Sequence, residues 1–262
     1  MEALIRLSAF WGIILIMLIW EYYRPRRKLS QSRRQRWPIN FGLGFFNMAL
    51  LRVTVGGIAF QSALIASENS WGLLNQLDLP QWSMILITFL FLDFAIYLQH
   101  IISHKWQWLW QLHRVHHTDI DFDTTTAIRF HPLEIIVSMA YKVGLIYWLG
   151  ADPTTVIAFE VILNGTAMFN HGNVAIPTKI DSVLRYFIIT PDMHRIHHST
   201  IKTETDSNYG FSISCWDRIF RTYTKQPQRS QTQMNLGLAD YRNPEQLKWL
   251  NLLQQPFVKP KR

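Results

Sequence analysis

The sequence predicts an all-α protein: an integral-membrane helical bundle of about three transmembrane helices plus a membrane-dipping helical hairpin, topped by a cytoplasmic helical cap. Three observations predict it. The apolar residues, 48% of the chain, come in long blocks. Seven Lys/Arg fall within residues 24–37, directly after the first block. All ten histidines lie at or beyond one end of those blocks.

The first block, 3–23, is interrupted only by Arg6, which can snorkel. It has no basic region before it and no small-residue cleavage site after it, so it reads as a transmembrane helix rather than a signal peptide. Trp20, Tyr22 and Tyr23 form an aromatic belt at its inner end, and RPRRKLSQSRRQRW follows. A second block covers 41–66 and a third 82–102. The connection between them, 67–80, holds no Lys or Arg, so it faces outward while the seven-cation loop faces the cytoplasm. Two shorter blocks, 133–149 and 154–169, are joined by the turn-forming GADP and predict a hairpin near the short limit for spanning. Residues 225–262 start polar and end in LKWLNLLQQPF, which suggests an amphipathic interfacial helix or one packed on the rest of the chain. The expected division is 1–80 as a transmembrane region, 81–224 as the catalytic unit and 225–262 as a tail.

One cysteine, Cys215, excludes an internal disulfide framework. The net charge of +8 is concentrated at the membrane flank, and no basic motif is interleaved with exposed aromatics, so nucleic acid is not an expected partner.

The histidines fall into groups: His100 and His104 in HIISH; His113, His116 and His117 in HRVHH; His131; His171; and His194, His197 and His198 in HRIHH. Imidazoles three or four residues apart on a helix can aim at one point. Neutral imidazole suits Fe, Zn, Cu or Ni, and the spacing does not choose among them. One HxxHH cluster cannot fill the shells of two ions; two clusters, a pair and one or two single residues can. Bis-histidine haem binding inside the bilayer needs isolated histidines at depth, and transport needs ligands spread through the depth. Neither fits clusters gathered at one boundary. The cap is therefore expected to carry a histidine-rich two-metal site.

The same residues carry a resemblance. DFAIYLQHIISH, LWQLHRVHHTDIDFDTTTAIRFHPLE, FNHGN, TPDMHRIHHST, DSNYG and CWDRIFRTY together resemble the motifs of the fatty acid hydroxylase / sterol desaturase superfamily, over about 93–222. Two positions depart: Ile101 stands where the family often has Arg, and Arg221 where it usually has Gly. The resemblance implies a membrane-bound di-iron oxygenase. It would use O2 and an external electron donor to hydroxylate or desaturate a lipid or sterol-like substrate. Two Fe ions are the expected cofactors, with Zn possible in a purified sample. The alternatives are a zinc-dependent membrane hydrolase on the same ligands, or a non-catalytic metal-binding membrane protein. No cytochrome b5 signature or iron–sulfur cysteine set is present, so the donor is expected to be a separate protein, docked by the basic face or indifferent to it. A bacterial inner membrane is favoured over the endoplasmic reticulum.

Metal-bound imidazoles need outer partners to fix their orientation. Asp93, Tyr97, Asp192, Asp206, Asn208, Tyr209 and Asp217 are the candidates. Arg52, Asp93, Lys142 and Glu160 fall inside apolar blocks and are expected to face protein or a water-filled cavity. Lys142 and Glu160, at matching depth in the hairpin, are expected to pair or to line a substrate cavity.

Overall fold

The protein is described here from a computed structural model, over residues 2–55 and 58–258. Its helices are α1 (Glu2–Tyr23), α2 (Arg33–Val55), α3 (Ile58–Glu68), α4 (Gln81–Lys105), α5 (Gln107–His117), α6 (Pro132–Leu149), α7 (Pro153–Asn170), α8 (Thr178–Leu184), α9 (Pro191–His197), α10 (Lys202–Thr205), α11 (Cys215–Ile219) and α12 (Trp249–Gln254). Among the described residues there is no strand, only three isolated bridges. Four stretches are long and apolar enough to cross a membrane: Glu2–Tyr23, Arg33–Glu68, Gln81–Lys105 and Pro132–Leu149.

Local chemistry sets the hairpin. Gly150 closes α6 in the left-handed region at φ +72, where a side chain would be strained. Two residues later the Asp152 carboxylate accepts the Thr155 N–H at 2.8 Å, and Pro153 starts α7. The tip reaches further than a shallow dip. Leu73 N donates to Trp148 O at 3.0 Å, and a Cβ on Gly72 would lie 2.1 Å from Gly150 N. The hairpin therefore extends as far as the connection between α3 and α4. At the expected rise of about 1.5 Å per residue, its 18-residue arms give it that reach. Ile146, Leu149, Ala151 and Val156 pack there with Ala59, Ala63 and Leu74.

Charges in the apolar region are handled in three ways. Lys142 Nζ lies 2.7 Å from Glu160 Oε1, the pair expected across the hairpin. Arg6 joins them, 3.1 Å from Glu160 and 2.9 Å from Glu2, so the cluster is neutral. Asp93 is buried and accepts from Trp216 Nε1 at 2.9 Å. Arg52 departs from expectation: it is exposed, in the last turn of α2, where a long side chain can lead its charge along the helix surface.

Three cations of the basic segment, Arg26, Arg27 and Arg36, tie α1 and α2 to the cap, while Arg24, Lys28 and Arg34 stay exposed. Arg26 meets Asp192 at 2.7 Å, and Arg27 donates to Met234 O at 2.9 Å. Arg36 is fully buried between Asp119 (2.7 Å) and Asp123 (2.6 Å). Burial alone would raise the Asp119 carboxyl, but Arg36 and Arg129 more than offset this and hold it well below its ordinary range. The tail packs on the rest of the chain: Leu252 is buried with Leu43 of α2 and Val115 of α5, while Leu250 is exposed.

Candidate metal centre

Four elements bring nine of the ten histidines together. The C-terminal turns of α4 supply His100 and His104, α5 supplies His113, His116 and His117, His171 ends α7, and α9 with its cap supplies His194, His197 and His198. They form two groups. His100, His104, His113, His117 and His197 make one; His116, His171, His194 and His198 make the other. Within each group the candidate ligand atoms all lie within 4.8 Å of one another.

The partition follows from helix geometry. His113 and His117, one turn apart on α5, go to the first group, and His194 and His198 go to the second. Each adjacent His–His pair is split: His116 crosses to the second group and His197 to the first. Successive side chains on a helix are rotated by about 100°, so one HxxHH segment serves two neighbouring centres.

The residues fit metal ions. Nε2 of His100 and of His117 lie 3.1 and 3.2 Å from His113 Nε2, and Nε2 of His116 and of His194 each lie 3.1 Å from His171 Nε2. Nitrogens held at roughly 2.0–2.1 Å from a shared ion stand at about this separation. Further buried ring nitrogens, among them His104 Nε2, His197 Nε2 and His198 Nε2, have no hydrogen-bond partner. Buried polar atoms left unpaired are costly, and a bound cation would satisfy them. Burial also keeps the rings in the neutral, ligating form. It lowers His197 to about 3 and His171 to about 4, and holds His116, His117, His194 and His198 well below the ordinary imidazole range.

His131, expected as a ligand, belongs to neither group. Pro132 begins α6 immediately after it, and the His131 ring caps that helix: Nδ1 accepts from Leu133 N at 3.2 Å and Nε2 lies 3.1 Å from Leu253 O in the tail. Both nitrogens are thus engaged away from the cage.

The outer partners are mostly not the expected carboxylates. His113 Nδ1 meets Glu134 Oε1 at 2.6 Å, a contact the sequence reading missed. The available signal was Glu134 in the first turn of α6, three residues after His131. Backbone carbonyls take three more rings, each at 2.7 Å: Tyr209 O faces His100 Nδ1, Ser207 O faces His197 Nδ1, and Ala167 O faces His171 Nδ1. Asn208, at φ +52, turns the chain between the first two of these carbonyls, and its side chain is bound to Met193 O and Thr224. Asp217 accepts from Tyr209 N and Gly210 N at 2.8 and 2.9 Å.

The expected acids and Tyr97 therefore sit around the centre without hydrogen-bonding an imidazole. Asp206 comes nearest, 3.7 Å from His104 Nδ1, and pairs with Lys105 at 2.8 Å. Asp192 binds Arg26 and Arg195. Asp93 holds the 213–216 segment, and Tyr97 OH meets Thr222 Oγ1 at 2.9 Å. Tyr209 contributes its carbonyl, while its hydroxyl faces Asp206 at 3.4 Å. Lys142 and Glu160 neutralise each other. The cavity beside them, between α1 and α7, is about 20 Å³, room for one water and not for a lipid chain.

With the cage and its helical support established, the comparisons give the class. The fatty acid hydroxylase family pattern matches residues 85–222, from α4 through the last histidine cluster to Thr222. The chain belongs to the fatty acid hydroxylase family, a class of oxidoreductases. Among its relatives is the ornithine lipid hydroxylase OlsE of Rhizobium tropici, 24% identical over 85% of this chain and 68% of that protein. Alkylglycerol monooxygenase of Xenopus tropicalis is 29% identical over 66% of this chain and 38% of its own length. The human alkylglycerol monooxygenase is 30% identical over 52% and 29%. The chain thus spans about two thirds of the bacterial relative and well under half of the animal ones. No solved structure gives a significant match.

Proposed function

We propose that this chain inserts one oxygen atom into a C–H bond of a membrane lipid, using two iron ions, O2 and electrons from a separate donor protein. The observation that supports it most directly is the pair of all-imidazole groups, five and four rings, fused at the split His–His pairs. His100, His104, His113, His117 and His197 would hold one ion, and His116, His171, His194 and His198 the other. The ions would supply the site of O2 reduction. The overall balance is R–H + O2 + 2 electrons + 2 protons giving R–OH + H2O. Hydroxylation is favoured over desaturation because the named relatives are a hydroxylase and monooxygenases.

The protein's own residues do the rest. Glu134 and the carbonyls of Ser207, Tyr209 and Ala167 fix the orientation of His113, His197, His100 and His171, so these four imidazoles present their free nitrogens inward. Phe122, fully buried, stacks on His171 at 5.4 Å, and Phe130 stacks on His116 at 4.4 Å, which excludes water from the four-ring group. In this reading the cap lies on the cytoplasmic side with the cation-rich segment, since positively charged loops are retained there, and the membrane is a bacterial inner membrane.

Metal analysis of the detergent-purified chain, together with lipid mass spectrometry of cells with and without it under oxygen-18 gas, tests this. Two irons per chain and a hydroxylated lipid carrying one oxygen-18 are expected. Stoichiometric zinc with an O2-independent hydrolysis, or unchanged lipids, would overturn the reading.

A further inference from the structure

Two short cap helices are inside out. In and just after α8, the charged pair Asp181–Arg185, 2.5 Å apart, is turned inward and buried. Ile180, Val183, Tyr186 and Phe187 are 53–68% exposed. In α11, Asp217 is fully buried, while Ile219 and the following Phe220 are 60% and 47% exposed. A water-facing cap would show the reverse, because large apolar side chains clustered on a surface call for an apolar partner.

The two segments are neighbours. Ile188 bridges to Ile213, Ser214 N donates to Phe187 O at 3.2 Å, and Arg218 lies over the Tyr186 ring at 5.2 Å. The α11 segment is anchored deep along α4, and α8 is held to it through these contacts. Asp93 binds Ile213 N and Trp216 Nε1, and Phe94 stacks on Phe220 with centroids 5.5 Å apart. Asp93 precedes His100 by seven residues, so this anchor lies about 10 Å further into the span than the histidine cage. The lipid-facing side of α4 begins one turn beyond it, at the exposed Leu90, Ile87, Leu86 and Ile85. The exposed face of α8 and α11 thus continues the membrane surface of α4. Exposed Lys179 and Lys225, with Arg221, stand at its margins, where cations meet anionic headgroups.

We propose that this inside-out face, from Ile180 through Phe187 and from Ile219 to Phe220, is immersed in the lipid bilayer beside α4, so that the cap is sunk into one leaflet rather than resting on it. The occupant is the bilayer, because the face is continuous with a membrane-crossing helix and rimmed by positive charge.

The test uses the full chain in vesicles of phosphatidylcholine and phosphatidylglycerol. Single cysteines replace Phe187, Ile219 or Ile180 in a Cys215→Ser background and carry an environment-sensitive fluorophore. Arg229→Cys, in the exposed polar tail, is the aqueous reference. Metal content checks that each variant is folded, and having three positions guards against the loss of one. The labels on the face are expected to be quenched severalfold more by doxyl-labelled lipid than the reference, and severalfold less by iodide. Iodide quenching equal to that of Arg229→Cys would put the face in water and overturn the proposal. Shielding from both quenchers, with cross-linking of two chains through the introduced cysteines, would make it a protein contact and equally overturn it.

Discussion

In the five-ring group, three outward nitrogens are held by hydrogen bonds: His100 by Tyr209 O, His197 by Ser207 O, and His113 by the Glu134 carboxylate. In the four-ring group only His171 has such a tether, to Ala167 O, while Nδ1 of His116, His194 and His198 is buried without a partner. Those rings are positioned by packing instead. Phe130 lies nearly parallel to His116, with centroids 4.4 Å apart, and His117 stacks on His198 at 4.5 Å. Hydrogen bonds fix direction as well as place and raise the basicity of the ligating nitrogen, whereas stacking fixes place alone. The difference teaches that the two centres are unequal: the first is prearranged and richer in ligands, the second has fewer ligands and depends more on its ion for order.

Removing a ring should have the largest effect. His100→Ala and His198→Ala are each expected to reduce turnover to background, and iron per chain should fall from two toward one. If either variant loses both ions, the two groups are a single cooperative unit and the comparison fails. Glu134→Gln leaves His113 with a weaker partner and should lower metal affinity or activity about 10–100-fold, an expected size for such outer contacts. Titrating the intact protein with a chelator while counting bound iron should give two phases, the four-ring group emptying first. One phase would contradict the inequality. His131→Ala should retain both irons and keep its activity, while losing about 1–2 kcal/mol of stability through the lost helix cap and tail contact. A missing iron would return His131 to the ligand set. The smallest effect is expected from Arg221→Gly. Arg221 sits at φ +59, in the turn whose next residue, Thr222, hydrogen-bonds Asp217 at 2.7 Å, and so stands behind the Tyr209 carbonyl. Relief of that conformation should raise the melting temperature by an amount worth about 1 kcal/mol or less.

The legible features were those set by spacing along one element. HIISH and the two HxxHH clusters announce convergent imidazoles because a helix repeats every 3.6 residues, and apolar length announces the spans. What stayed hidden depends on contacts between elements. Glu134 reaches His113 only because α6 is placed against α5, and its acid looks like an ordinary first-turn residue of a helix. The tethers at Ser207 and Tyr209 are carbonyls, which every residue owns, so no side-chain pattern marks them. Asp93 was legible as a buried acid in a helical stripe with His100 and His104, but its partner, Trp216, is 123 residues away. His131 looked like a ligand by residue type, yet the proline after it makes its ring a helix cap. The seven cations of 24–37 read as a topology signal, and the pairing of two of them, Arg36 with Asp119 and Asp123 and Arg26 with Asp192, required the fold.

The meeting of Gly72 and Gly150 has a practical consequence. Both backbones take positive φ, and the Trp71 carbonyl receives Asn75 Nδ2 at 2.7 Å in the same turn. The connection opposite the cap is therefore a fitted clasp on the end of the hairpin and not a slack tether. Reporter tags meant to map sidedness would wedge the clasp apart if inserted near 71–75, whereas a tag at the exposed Asp78 leaves it closed. The usual choice of a loop midpoint would here report the damage done by the tag.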